Sequence, residues 1–556
     1  MREHMSVAPA RRKRRSLSFD FLQRGLPPRH FRPELHGVRG LAILGVVLFH
    51  LFGDGRVSGG IDIFLAISGF LFTAMLLREA ATSKGSINLS KYFARLIRRI
   101  IIPAVIVVAA TLALGLWVKP ETDHHQLWAE ARASALYFEN VELINSQLAY
   151  GAAGPETSPF QHYWSLSVQG QFYLLWPLVA VIAVLVARYL RRSASSVMAV
   201  AVGAIFIASL VYALYYGSFN QDEAYLMTRT RMWELAFGGL LALLGARLTL
   251  PEWLRVPAGW LGLALIVSCG FVIDGAQEFP GLLAFWPLGG LALVLAAAGP
   301  QGGLADPRGS ATRFLSNPVF GWIGDRAYGL YLWHWPLLIF YMEFRQREAV
   351  GLAGAAVVLA TTVLLAELMY RLIERPIAQR KVLTIDWRVL AAGATVMLLI
   401  GIGMSAAVES TVPEPDPVAF DPDIWDWDTY PGAQAALAGN SEMDGTETFL
   451  PDPATLNTFE PQYYTKGCRQ SARNAPGTDE IVVCEDENMP ESPRRTVVIA
   501  GGSHAGQWEA VWLRLGQEHN WEVLIVDKSG CVFADYSGDP NKSSCQGWLD
   551  HFMDWL

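Results

Sequence analysis

The stretch RGLAILGVVLFH, residues 39–50, decides how this chain is read. It is an apolar run with a guanidinium at its start and an imidazole at its end. As a helix it separates Arg39 from His50 by ~16 Å along the axis, about half of a ~30 Å hydrocarbon core. Arg39 then sits at a membrane face and His50 at or past the membrane middle. Ionisable groups at that depth usually face a bundle interior or a cavity. A neutral imidazole there is either one half of an interhelical hydrogen bond or a base that works near neutral pH.

Further apolar runs extend this reading along the chain. Eleven spans are expected, at approximately 36–53, 58–79, 98–118, 162–187, 196–216, 229–247, 256–273, 281–299, 320–342, 350–374 and 388–408. The 556 residues are 52% hydrophobic and 17% charged, which points to a polytopic membrane protein rather than a soluble one. The net charge of −7 averages an apolar part with arginines at its segment ends and an acidic stretch after residue 410. With no large basic face, nucleic acid is not expected as a partner.

The arginines orient the bundle. RRKRR (11–15), KYFARLIRR (91–99), RYLRRS (188–193), DPRGSATR (306–313) and YRLIERPIAQRK (370–381) fall on one side of alternating spans. The positive-inside rule makes that side cytoplasmic. No cleavable signal sequence is expected at the start, and residues 1–33 read as a cytoplasmic tail. The loop 119–161 and everything after residue 408 then lie outside. The cysteines agree with this. Cys269 lies in an apolar run, whereas Cys468, Cys484, Cys531 and Cys545 all follow the last span, as two disulfides in an oxidising compartment would. Sequence leaves their pairing open; the local pairs Cys468–Cys484 and Cys531–Cys545 are expected.

Residues 411–495 read as a linker with too little apolar periodicity for a core. TVVIA (496–500) then fits a buried parallel strand, GGSHA a tight turn, GQWEAVWLRLGQEH a helix, and WEVLIV the next strand. A partial α/β domain over 496–556 is expected, with Ser503 exposed at the strand's C-terminal edge. A complete domain of this kind would need ~100 more residues to cover its sheet, so the chain reads as truncated.

Two resemblances follow from ordered motifs. RGLAILGVVLFH and GGIDIFLAISGF (59–70) are similar to the first two helices of the membrane-bound acyltransferase-3 family. ARLIRRIIIP (94–103), HYWSLSVQGQFYLLWP (162–177), TRTRMWELAFGGLLA (228–242), YGLYLWHWPLL (328–338) and YRLIERPI (370–377) resemble its later elements, in order. The resemblance covers 34–378, a ten-helix domain, with 379–410 an eleventh span. It implies a cytoplasmic acyl-CoA donor, acetyl-CoA above all, and no metal. Arg39, Arg95 and Arg98 would meet the CoA phosphates, which suit guanidinium forks. His50 would handle the acyl group, and Asp62, which its position at the outer start of the second span puts near His50, would orient the imidazole or stand as an interfacial aspartate. Trp164 and Ser165 would line the site, while Arg231, Glu234 and His334 would shape or polarise it. The family's glutamate is here Gln169, which keeps hydrogen bonding and loses charge.

IAGGSHA (499–505) resembles the first block of the SGNH hydrolase fold, with Ser503 at the nucleophile's position and Gly502 replacing the usual Asp. No Asp-x-x-His follows it, and LDHFMDWL (549–556) has Asp550 directly before His551. A complete triad is therefore not expected. Together the resemblances imply a bacterial plasma-membrane O-acyltransferase that passes an acyl group to a hydroxyl of an envelope glycan or glycolipid. A transporter, a membrane-tethered esterase and a non-catalytic remnant stay open beside it.

Overall fold

The computed structural model describes residues 32–53, 56–83, 85–146, 157–245, 250–299, 305–347, 349–379, 386–411, 430, 432, 462–468, 470, 477–485, 491–537 and 542–556. The RRKRR tail and most of the stretch 411–495 lie outside the described residues.

All eleven apolar runs are helical. The long helices are α1 (Pro33–Phe52), α2 (Gly60–Thr82), α3 (Leu89–Val118), then, after two short helices, α4 (His124–Ala135) and α5 (Glu139–Asn145), α6 (Tyr163–Leu190) and α7 (Ala194–Gly217). They continue as α8 (Thr228–Leu244), α9 (Glu252–Val272), α10 (Phe285–Ala297), α11 (Pro318–Arg345), α12 (Gly351–Ile377) and α13 (Asp386–Ser410). The result is a polytopic helical membrane bundle. Among the described residues eight helices are by length and composition apolar enough to cross a membrane, and three of the eleven expected spans fall short of that measure. α8 has only 17 residues and carries Arg229, Arg231 and Glu234. The apolar stretch Leu282–Ala297 is short. α11 is 28 residues long, but Asp325, Arg326, His334 and Glu343 dilute its hydropathy. α8 and α11 are polar because they carry charged groups in the bundle's interior, whereas the short α10 is apolar.

Two close crossings set the interior. A Cβ on Gly238 of α8 would meet the Ala66 carbonyl oxygen of α2 at 1.7 Å, so only glycine allows these backbones to touch. A Cβ on Gly324 of α11 would lie 2.1 Å from the His36 oxygen of α1. The first crossing brings Asp62 to Arg231, and the second lays α11 along α1 so that His334 meets His50.

Prolines do the finer work. Pro177 in α6 and Pro336 in α11 lack the N–H that would bond the carbonyl four residues earlier. The freed Tyr173 oxygen accepts the Tyr92 hydroxyl at 2.9 Å. The freed Leu332 oxygen faces the Nε2 of His162 at 3.2 Å. Two π-helical turns, Ile97–Ile101 in α3 and Tyr370–Glu374 in α12, lie at the basic end of the bundle and shift the register of the side chains there.

Beyond the bundle, β1 (Cys484–Glu485), β2 (Arg495–Gly501) and β3 (Trp521–Asp527) form a sheet of order β1-β3-β2. β2 and β3 are parallel, with Val497 opposite Val523, and α14 (Glu509–His519) connects them. α15 (Ser543–Trp555) packs Trp548 and Phe552 against Val526. Cys468 is joined to Cys484 and Cys531 to Cys545, while Cys269 is free and buried.

Candidate functional site

The bundle encloses a cavity of about 600 Å³ that opens at its basic end. Arg39 of α1, Arg95 and Arg99 of α3, and Arg375 of α12 line it. Arg39, Arg99 and Arg375 make no hydrogen bond or ion pair with any described residue, and Arg95 donates only to the Met75 sulfur. Asp325 and Glu374 are the acids of the lining. Four guanidiniums with so little to satisfy them have the chemistry to hold an anion. Arg98, expected beside Arg95, is not in the lining. The π-helical turn Ile97–Ile101 widens the turn here, which brings Arg99 rather than Arg98 over Arg95.

Toward the membrane interior the cavity narrows onto Gln169, Tyr173, Ser165 and Tyr331. Gln169 accepts the Tyr173 hydroxyl at 3.3 Å, so the amide serves here as a hydrogen-bond acceptor. The Tyr331 hydroxyl donates to the His162 carbonyl at 2.7 Å and in turn takes the Ser165 hydroxyl as donor at 2.7 Å.

Behind this floor lie three imidazoles. His50 Nδ1 is 2.9 Å from His334 Nε2, and the two rings stack at 5.1 Å. His334 Nδ1 faces the carbonyl oxygens of Tyr331 at 2.7 Å and Leu330 at 3.1 Å. Those oxygens only accept, so His334 carries its proton on Nδ1 and offers a lone pair on Nε2. His50 must then donate from Nδ1, which leaves its Nε2 as the free basic nitrogen. His162 lies 6.0 Å from His334, ring to ring. Trp335 stands edge-on to His50 at 4.8 Å, and its Nε1 donates to the Ser158 carbonyl at 2.9 Å.

Asp62 does not orient His50, contrary to the sequence expectation. Its carboxylate takes Arg231 Nη1 at 2.8 Å, and Glu234 takes the same nitrogen at 2.9 Å. All three side chains are buried. Trp164 likewise does not line the cavity: it lies 5.3 Å from the Arg231 guanidinium, and Tyr225 covers that group at 4.3 Å. Asp62 does share a narrow crevice with His50, Ser58 and Tyr225, which adjoins the main cavity through Ile61. The large cavity itself stops short: His50 is not in its lining, so Arg39 and His50 are connected through the Ser165–Tyr331 floor rather than by open space.

Next to the histidines, α4 and the segment before α6 bury a further carboxyl. Glu130 accepts the Ser158 hydroxyl and the Gln126 amide, the latter at 2.8 Å. Burial pushes its carboxyl up to about 7.

Ser503 begins a short helix, Ser503–Gly506, just past β2, and is exposed. Gly501 before it has φ +144°, a backbone that favours glycine. Neither His504 nor His551 forms a recorded hydrogen bond with Ser503; His551 Nδ1 binds the Asp479 carbonyl at 2.8 Å. Among the described residues no acid–base pair serves this serine.

His162, Tyr331, Arg99 and Arg375 went unassigned in the sequence, although all four lie in or next to quoted motifs. The signal for His162 was Pro336, whose missing N–H leaves a carbonyl in search of a donor.

The same residues can be set against known proteins. The family described as an acyltransferase domain matches residues 32–371. The O-acetyltransferase OatA of Staphylococcus aureus (strain NCTC 8325 / PS 47) is 27% identical over 376 residues, 65% of this chain and 59% of that protein. A putative O-acetyltransferase, SAS0844, of S. aureus strain MSSA476 is 27% identical over 373 residues, 64% of this chain and 59% of its own length. The chain thus spans somewhat under two thirds of the curated relatives it matches. No solved structure matches it. With well over half of its residues matched, this chain belongs to the acyltransferase-3 family.

Proposed function

We propose that the chain is a bacterial plasma-membrane O-acyltransferase, in which α1–α12 form the acyl-transferring domain, α13 a further span and residues 496–556 an SGNH-like part. The basic end of the bundle faces the cytoplasm. Acyl-CoA, as acetyl-CoA, enters the cavity there. Arg39, Arg95, Arg99 and Arg375 hold its phosphates, and the thioester passes the floor at Ser165 and Tyr331 by way of Ile61 into the crevice that His50 lines.

His50 Nε2 attacks the thioester carbonyl. The C–S bond breaks, CoA leaves as a thiolate, and an acyl-imidazolium remains with its Nδ1 proton shared with His334. A hydroxyl on the opposite side then takes the acyl group and gives up its proton to a base, and His50 returns to the neutral state. The buried floor keeps bulk water from hydrolysing the intermediate. The final acceptor is a hydroxyl of an envelope glycan or glycolipid, reached directly or through Ser503. The observation that carries this reading is one cavity with under-satisfied arginines at its mouth and, behind its floor, an imidazole whose tautomer is fixed.

The test is mass spectrometry of envelope glycans and lipids from cells with the gene, without it, and with His50→Ala or Ser503→Ala. A mass gain of one acetyl group that is lost in the deletion and in His50→Ala supports the reading. A gain unchanged by His50→Ala overturns it. Retention in Ser503→Ala means that the bundle acylates the acceptor itself.

A further inference from the structure

We propose that His162 is the second base of the transfer, taking the proton of the incoming hydroxyl while His50 carries the acyl group; this deepens the acyl-imidazole reading above and rests on it.

The argument begins with Pro336. Its missing N–H frees the Leu332 carbonyl, and His162 Nε2 sits 3.2 Å from that oxygen. A carbonyl cannot donate, so Nε2 carries the hydrogen, and the lone pair of a neutral ring falls on Nδ1. That Nδ1 is buried and has no hydrogen-bond partner among the described residues, and the side chain as a whole is only 3% exposed. An unpaired polar atom in such a place has a cost, and a functional site is where native proteins tolerate it.

Its surroundings give the atom a use. The ring lies 5.5 Å from the Tyr331 ring and 6.0 Å from the His334 ring. The His162 backbone carbonyl holds the Tyr331 hydroxyl that forms the cavity floor. One cluster therefore contains two imidazoles with an uncommitted lone pair, His50 on Nε2 and His162 on Nδ1, while the lone pair of His334 between them is already used by His50.

Transfer to a hydroxyl needs both. The hydroxyl oxygen bonds to the acyl carbon, the C–N bond to His50 Nε2 breaks and its electron pair returns to that nitrogen. The O–H proton goes to His162 Nδ1. The sum is thioester plus alcohol giving ester, thiolate and one proton. His50 cannot take that proton while its Nε2 is acylated, and His334 Nε2 is committed to His50.

Two nucleophiles separate this role from a structural one. The full chain in detergent is loaded with radiolabelled acetyl-CoA, and discharge of protein-bound acetyl is followed with hydroxylamine or with glycerol. Hydroxylamine is nucleophilic enough to attack first and lose its proton afterwards, whereas glycerol must give up its proton as it attacks. In His162→Gln, discharge to glycerol should slow by ~100-fold or more, while hydroxylamine stays within about threefold of wild type. Equal rates with wild type for glycerol, or equal loss for both nucleophiles, overturn the proposal. His162→Asn is run in parallel; if neither variant loads acetyl, His162 is structural and the proposal is overturned. If the wild-type chain itself loads no acetyl, the acyl-imidazole reading fails, and this inference with it.

Discussion

His50 Nδ1 and His334 Nε2 lie 2.9 Å apart on α1 and α11, and the carbonyls beneath His334 fix which of the two donates. A ring in the wrong tautomer would present an N–H, not a lone pair, to the thioester. On the proposed function, His334 acts through His50 as a positioning residue. His334→Ala is expected to lower kcat for CoA release by ~100-fold with KM for acetyl-CoA within about twofold. His334→Gln, whose side-chain oxygen can accept from His50, should recover part of the loss. A pure KM effect would instead place His334 on the donor.

The arginines give the opposite signature. Charge-assisted hydrogen bonds to phosphate contribute ~1.5–3 kcal/mol each, or roughly 10- to 150-fold in affinity. Arg39→Gln, Arg95→Gln, Arg99→Gln and Arg375→Gln should each weaken acetyl-CoA binding within that range, and more so at low ionic strength. Arg98→Gln, which lies off the cavity lining, should weaken it less than threefold. Isothermal titration with a non-hydrolysable acetyl-CoA analogue checks both halves of the statement.

Much of this was legible in the sequence because apolar length and arginine placement are local properties. The bundle, the Arg39-to-His50 axis and the strand–turn–helix around Ser503 all come from such patterns. What was not legible depended on rotation and on pairing across helices. The π-turn at Ile97–Ile101 decides between Arg98 and Arg99, and no periodicity rule marks it. Asp62 is near His50 in the chain's path, yet it is drawn to the one buried guanidinium on α8. Three of the eleven runs fall short of a simple span's length or hydropathy, α8 and α11 because they carry the interior's charged groups and α10 because it is short.

The Asp62–Arg231–Glu234 cluster holds α2 to α8 at their glycine crossing. Breaking a buried ion pair by removing one partner costs ~3–5 kcal/mol. Arg231→Met should be the most damaging change, because it strands two carboxylates. Asp62→Asn should lower the thermal midpoint in detergent but keep turnover per folded molecule within a few-fold of wild type. Loss of turnover by ~100-fold in a folded Asp62→Asn protein would return Asp62 to the chemistry.

Glu130 makes the pH dependence of the fold specific. Burial raises its carboxyl from 4.5 to about 7. Between those values the folded chain holds a proton that the unfolded chain has released. Stability therefore falls as pH rises through this window, and the full cost is present above about pH 7. Glu130→Gln keeps an acceptor for Ser158 and removes the ionisation. The variant's thermal midpoint relative to wild type should change little below pH 4.5, climb between 4.5 and 7, and level off above. A difference that stays flat across that range would mean Glu130 is already ionised in the fold. Because Ser158 also holds Trp335 against His50, ionisation of Glu130 should leave its mark on turnover in the same window, as a change in kcat that Glu130→Gln abolishes.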